Sequence, residues 1–147
     1  MNPDFLDMLS AFSGEGAEYL LVGAYALAVH GVPRATGDMD LWVRPGPENA
    51  RRVLAALALF GAPLADLTER DLVTPGTLFQ VGIAPRRIDI LTAIDGVEFE
   101  EAWADRHVTR VGNLDVPVIS RRHLIRNKKT VGRPQDLADA ARLEGSW

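Results

Sequence analysis

The sequence predicts an α+β domain, a small mixed β-sheet flanked by helices. Three observations lead there. Helical periodicity alternates with short strand-like runs over residues 4–60, two later pairs of strand-like runs are each joined by a short turn, and the chain closes on helical patterns from about residue 120. The 147 residues fall in the usual range of one domain and suffice for a substantial core. We therefore expect a single domain over 1–147, with its core at about 18–119 and a helical C-terminal segment at about 120–147.

Taken in order, Phe5, Leu6, Met8, Leu9 and Phe12 recur at helical spacing over 4–12 after Asn2-Pro3-Asp4, a good helix start. Tyr19-Leu20-Leu21-Val22 is a short apolar run that reads as a buried strand. Gly23 stops it, and alanine-rich 24–29 reads as a short helix. The two glycines and one proline of 30–37 exclude regular structure before a strand over 38–43. Ala50, Val53, Leu54, Leu57 and Ala58 line one face of a helix over 48–60, closed by Gly61. Residues 62–76 carry no clear pattern. Runs 77–83 and 87–91, joined at Ala84-Pro85-Arg86, predict a hairpin; 97–106 predicts a short helix; 107–111 and 116–119 predict a second hairpin. Ser120 caps a basic helix to about Lys129, and Pro134 opens a last helix through Leu137, Ala138, Ala141 and Leu143.

Composition removes several classes. Hydrophobic residues at 47% and charged residues at 24% are ordinary globular values. No stretch approaches the roughly 20 apolar residues that span a bilayer, and the acidic start with Asp4 and Asp7 is unlike a signal peptide, so we expect a cytoplasmic protein that does not engage membranes. With no cysteine, any metal must be held by oxygen or imidazole, which disfavours zinc and suits magnesium or manganese. Residues 1–116 carry 9 basic and 17 acidic side chains, whereas 117–147 carry 7 basic and 3 acidic. Arg121, Arg122, Arg126, Lys128, Lys129 and Arg133 make a local basic window on a chain of net charge −4, which fits a local anion contact and not a nucleic-acid-coating surface.

The chemistry concentrates at Gly37-Asp38-Met39-Asp40-Leu41-Trp42-Val43. In an extended strand, Asp38, Asp40 and Trp42 share one face, and Met39, Leu41 and Val43 the other. Two carboxylates side by side destabilise each other unless a cation lies between them, and a hard divalent metal with oxygen ligands is the usual solution. In Arg87-Ile88-Asp89-Ile90-Leu91 the same alternation presents Asp89 together with Arg87, opposite Ile88 and Ile90. An Asp-x-Asp strand by itself is also what the solvated face of an antiparallel sheet looks like.

Val22-Gly23-Ala24-Tyr25-Ala26-Leu27, then Pro33-Arg34-Ala35-Thr36-Gly37-Asp38-Met39-Asp40, then the separate Asp89, resemble the DNA polymerase β-like nucleotidyltransferase superfamily. The pattern there is an apolar residue, Gly, then Gly or Ser, a spacer, an Asp-x-Asp strand and a third acid on a neighbouring strand. The likeness is strongest to small bacterial minimal nucleotidyltransferases and the nucleotidyltransferase toxins of abortive-infection systems. Asn127-Lys128-Lys129 and Gly132-Arg133-Pro134-Gln135-Asp136 resemble their C-terminal helices. The likeness spans roughly 18–144.

The resemblance implies a polymerase β-like palm and transfer of a nucleoside monophosphate from a nucleoside triphosphate. Asp38, Asp40 and Asp89 would hold Mg²⁺ or Mn²⁺, and Asp89 would also take the proton of the attacking hydroxyl. Gly23 and Ala24, at the start of a helix, would meet the triphosphate through backbone N–H groups. Ala24 departs from the family's Gly or Ser; it keeps the N–H and loses a hydroxyl contact. Arg34 and Thr36 read equally as phosphate contacts or as ordinary loop. Lys128 and Lys129 read as triphosphate or RNA contacts or as a solvated helix face. The acceptor is left open: an RNA end such as tRNA, a protein side chain or a small molecule such as an antibiotic. The alternative is a catalytically weak or inactive nucleotide-binding or regulatory module; a place as one half of a toxin–antitoxin pair is a third option, compatible with the enzyme reading. The apolar stripe of Leu6, Met8, Leu9 and Phe12 reads as core or as a homo-oligomer surface.

Overall fold

The structure, a computed structural model, describes residues 1–34, 37–64 and 66–145. Asn2 accepts the Asp4 N–H at 2.8 Å and Pro3 opens α1 (Pro3–Gly14), whose Phe5, Met8, Leu9 and Phe12 are all fully buried. The apolar stripe is therefore core. Then come β1 (Tyr19–Val22), α2 (Gly23–Val29), β2 (Met39–Val43) and α3 (Pro47–Phe60), which Gly61 ends in the left-handed conformation. In the segment without pattern the structure has α4 (Glu69–Val73), a single turn or so held by a reciprocal capping box between Thr68 and Asp71 and anchored by buried Leu72. β3 (Leu78–Val81) and β4 (Ile88–Leu91) form the first hairpin, α5 (Phe99–Ala104) follows, and β5 (His107–Val111) with β6 (Leu114–Val118) forms the second. The basic helix is α6 (Arg121–Val131), capped by Ser120 and ended by Gly132, and α7 (Pro134–Leu143) packs on it.

The six strands make one sheet in the order β3-β4-β2-β1-β6-β5. β2 runs parallel to β4 and antiparallel to β1, and β1 meets β6 in parallel, so the sheet is mixed as expected. Strand alternation assigns its two faces. Met39, Leu41 and Val43 share a face with Tyr19, on which Phe12 of α1 packs edge-on at 5.3 Å between ring centroids. On the opposite face Trp42, 1% exposed, packs edge-on against Phe99 of α5 at 5.1 Å. This sharpens the expected picture of β2: its second face is covered at the C-terminal end and accessible to polar chemistry only at the N-terminal end, where Asp40 lies. No helix among the described residues is long and apolar enough to cross a membrane.

Candidate active site

Register brings the acids together. Asp40 on β2 lies directly beside Asp89 on β4, and beside Val22 on the last rung of β1. Asp38 sits just ahead of β2, where the Arg87 N–H donates to its Oδ1 at 3.2 Å. The neighbouring loops are pressed together: a Cβ built on Gly37 would stand 1.7 Å from the carbonyl oxygen of Pro85. Gly37 thus admits the turn that precedes β4 and fixes the main chain of residue 87, whose carbonyl accepts the Met39 N–H at 3.0 Å.

Gly23 has a steric role toward Asp40 in addition to the phosphate contact expected of it. Its φ is +67°, and a Cβ there would fall 2.1 Å from Oδ2 of Asp40. The glycine makes room for the carboxylate itself. α2 begins at this glycine, and Val22 at its N-cap supplies no side-chain acceptor to the first-turn N–H groups, that of Ala24 included. With seven residues, α2 has a small macrodipole, and individual N–H groups matter more here than helix charge.

The electrostatics follow from crowding. Burial first, then the Asp89 charge, a proton shared with Asp89 and the Asp38 charge push the Asp40 carboxyl up to about 7, and Arg87 opposes them in part. Arg87 is the cation in the cluster. Its Nε contacts Asp89 Oδ1 at 2.8 Å and its Nη2 contacts Asp38 Oδ2 at 3.1 Å. Asp89 itself is 8% exposed. Among the described residues no three His, Asp or Glu side chains stand as a ready ligand set for an ion, and Arg87 occupies the position between two of the acids. The donor chemistry nonetheless suits a hard divalent cation: three carboxylates, no sulfur, and a glycine cradle that a methyl group would fill.

The other sequence candidates fall apart from this cluster or beside it. Arg34 forms an ion pair with Asp139 of α7, and Lys128 of α6 lies 3.4 Å from both Asp136 and Asp139. Asp136 also binds Arg133 Nε at 2.6 Å, and Gln135 donates to Asp139 at 3.1 Å. These contacts tie the loop ahead of the acids to the C-terminal helix pair. Lys129 projects separately and pairs with Glu144 at 3.1 Å. Thr36 lies outside the described residues. Sequence reasoning missed Arg87 as a partner of Asp38, and it missed Gln80, which the hairpin places directly across from Asp89.

Asp139 is 1% exposed, so its charge is compensated only by protein. Asp139→Ala is expected to cost about 3 kcal/mol of stability, because it leaves two cations without their shared acid. Urea unfolding of both proteins checks this; a change below about 1 kcal/mol would make the network decorative.

No protein-family model matches the sequence, and no curated protein matches it. In fold, the chain is similar to a crystal structure from Thermotoga maritima described as a "putative nucleotidyltransferase", with a TM-score of 0.60 over 99% of this chain and 93% of that one, at 13% identity.

Proposed function

We propose that this chain is a metal-dependent nucleotidyltransferase that moves a nucleoside monophosphate from a nucleoside triphosphate to an acceptor hydroxyl. The observation that carries the reading is the pairing of Asp40 with Asp89 on adjacent parallel strands, with Asp38 at the same end and Gly23 opened for the Asp40 carboxylate. Such crowding raises the energy of the protein, and it is selected where the carboxylates have a task. The shared architecture with the Thermotoga maritima structure supports the same reading at the level of the fold.

Asp38, Asp40 and Asp89 would hold Mg²⁺ or Mn²⁺, which supplies charge neutralisation and orientation for an in-line displacement. The triphosphate lies against the first-turn amides of α2 at Gly23 and Ala24. The acceptor oxygen attacks the α-phosphorus, the bond to the bridging oxygen of the β-phosphate breaks, and pyrophosphate departs. Asp89, next to the site of attack, receives the hydroxyl proton. Arg34 and Lys128 act in this reading through their hold on Asp139, as supports of the loop that carries Asp38. An RNA end, a protein side chain and a small molecule all present a suitable hydroxyl, and the acceptor is chosen by surfaces other than the acids.

Ala24 favours the second reading, a module that binds nucleotide without turnover. Incubation with each α-labelled nucleoside triphosphate, Mg²⁺ or Mn²⁺, and in parallel total tRNA, partner proteins and aminoglycosides separates the two. We expect label in one acceptor class and a loss of about a hundredfold or more in Asp40→Asn, as removal of a metal ligand worth several kcal/mol implies. Metal-dependent nucleotide binding without label in any acceptor would favour the binding module.

A further inference from the structure

We propose that Arg87 is the internal counter-cation of the carboxylate cluster and must leave for a divalent ion to enter, so that its guanidinium gates the metal site. The inference rests on the reading of Asp38, Asp40 and Asp89 as metal ligands. Three contacts carry it. Nη2 of Arg87 engages Asp38 Oδ2, Nε engages Asp89 Oδ1, and the residue's own N–H engages Asp38 Oδ1. Two of the three carboxylates that would face an ion, Asp38 and Asp89, are thus already engaged by the guanidinium, and a lone pair given to it is not available to an ion.

The local build allows the side chain to go while the backbone stays. The Arg87 carbonyl is fixed by Met39, its N–H by Asp38, and the turn before it is wedged against Gly37. Only the side chain has freedom. It is 31% exposed and has an open path to solvent. A planar fork spanning two carboxylates is well suited to keep like charges apart in the absence of metal, and a divalent ion carries twice its charge in a smaller volume. Ion entry and Arg87 release are then two sides of one equilibrium. Whatever holds Arg87 in place weakens metal binding by the same factor.

The test measures ions and not turnover. Free Mn²⁺ counted by electron paramagnetic resonance gives the affinity of the wild type and of Arg87→Ala, with Arg86→Ala removing the same unit of charge from the exposed neighbouring residue. We expect Arg87→Ala to bind Mn²⁺ at least about tenfold more tightly, within the usual range of coupling between two sites, and Arg86→Ala to stay within about threefold of wild type. Where Arg87→Ala does not fold, Arg87→Gln keeps donors for the acids without the charge and is held to the same expectation. In the wild type, the Arg87 Nε–H resonance is expected to be protected from exchange without metal and to lose that protection on titration with Mg²⁺. Equal Mn²⁺ affinities for wild type and the Arg87 variants, with binding abolished in Asp40→Asn, would overturn the gate and leave the metal site standing. Equal tightening in Arg86→Ala would reduce the effect to general charge and overturn the gate as well. No ion binding in any of these proteins would overturn both the gate and the nucleotidyltransferase reading.

Discussion

Asp40→Asn is expected to stabilise the metal-free protein at neutral and alkaline pH while it removes about a hundredfold or more of the proposed nucleotidyl transfer. Asp40 has its carboxyl pushed from an ordinary 3.8 to about 7. Below about pH 4 the group is protonated in both folded and unfolded chains and there is no penalty. As pH rises toward 7 the unfolded chain releases the proton and the folded one retains it, so stability falls; above about 7 the full penalty applies. At 1.36 kcal/mol per pH unit the total is about 4 kcal/mol, an upper figure for a group that shares its proton with Asp89. Asparagine keeps the shape and a donor for Asp89 and never ionises. The stability advantage of the variant should therefore grow by about 2–3 kcal/mol between pH 5 and pH 8 in chelator-treated urea unfolding. Parallel pH curves would show that the acids are not crowded. Saturating Mg²⁺ should reverse the order, by stabilising the wild type alone.

Gly23→Ala tests the same site from the backbone side. The new methyl carbon meets Asp40 Oδ2 at 2.1 Å, and the φ of +67° already disfavours any side chain. Gly112→Ala is the matched control, with a φ of +59° in the turn between β5 and β6 and no atom within 4 Å of the added Cβ. The control pays the left-handed strain alone, about 1 kcal/mol. Gly23→Ala should exceed it by a further 1–3 kcal/mol or so, because the carboxylate must rotate out of its place. It should also lose Mn²⁺ binding, which Gly112→Ala keeps. Identical unfolding midpoints for the two would mean that Asp40 yields freely and that the glycine serves only the turn.

What the chain disclosed in advance was what depends on short-range periodicity. The alternation around Asp40 and around Asp89 put each acid on the face opposite a row of buried residues, and the helix starts at Pro3, Ser120 and Pro134 were visible in the sequence. α4 stayed hidden because five residues with one buried leucine show no period, although Thr68-x-x-Asp71 was a capping signal. Arg87 and Asp89 were seen to share a face. What no local pattern could supply was Asp38 across the strand gap, or the ion pair between Arg34 and Asp139, 105 positions apart in the chain. Both come from tertiary packing. The same is true of Gly23, whose positive φ was foreseeable from its place between strand and helix, whereas the carboxylate it accommodates was not.

The lateral pairing of Asp40 with Asp89 has a consequence for how such proteins diverge. The two residues are held by neighbouring rungs of a sheet, so their separation in space is independent of how much chain runs between them. Insertions after α3 or around α4 would lengthen the path without moving either carboxylate, while a single residue added inside β2 or β4 would turn one acid to the opposite face. Lineages with this architecture are thus free to drift in loop length and constrained in strand length. A search keyed to fixed intervals between acids would lose them, and one keyed to strand register would find them.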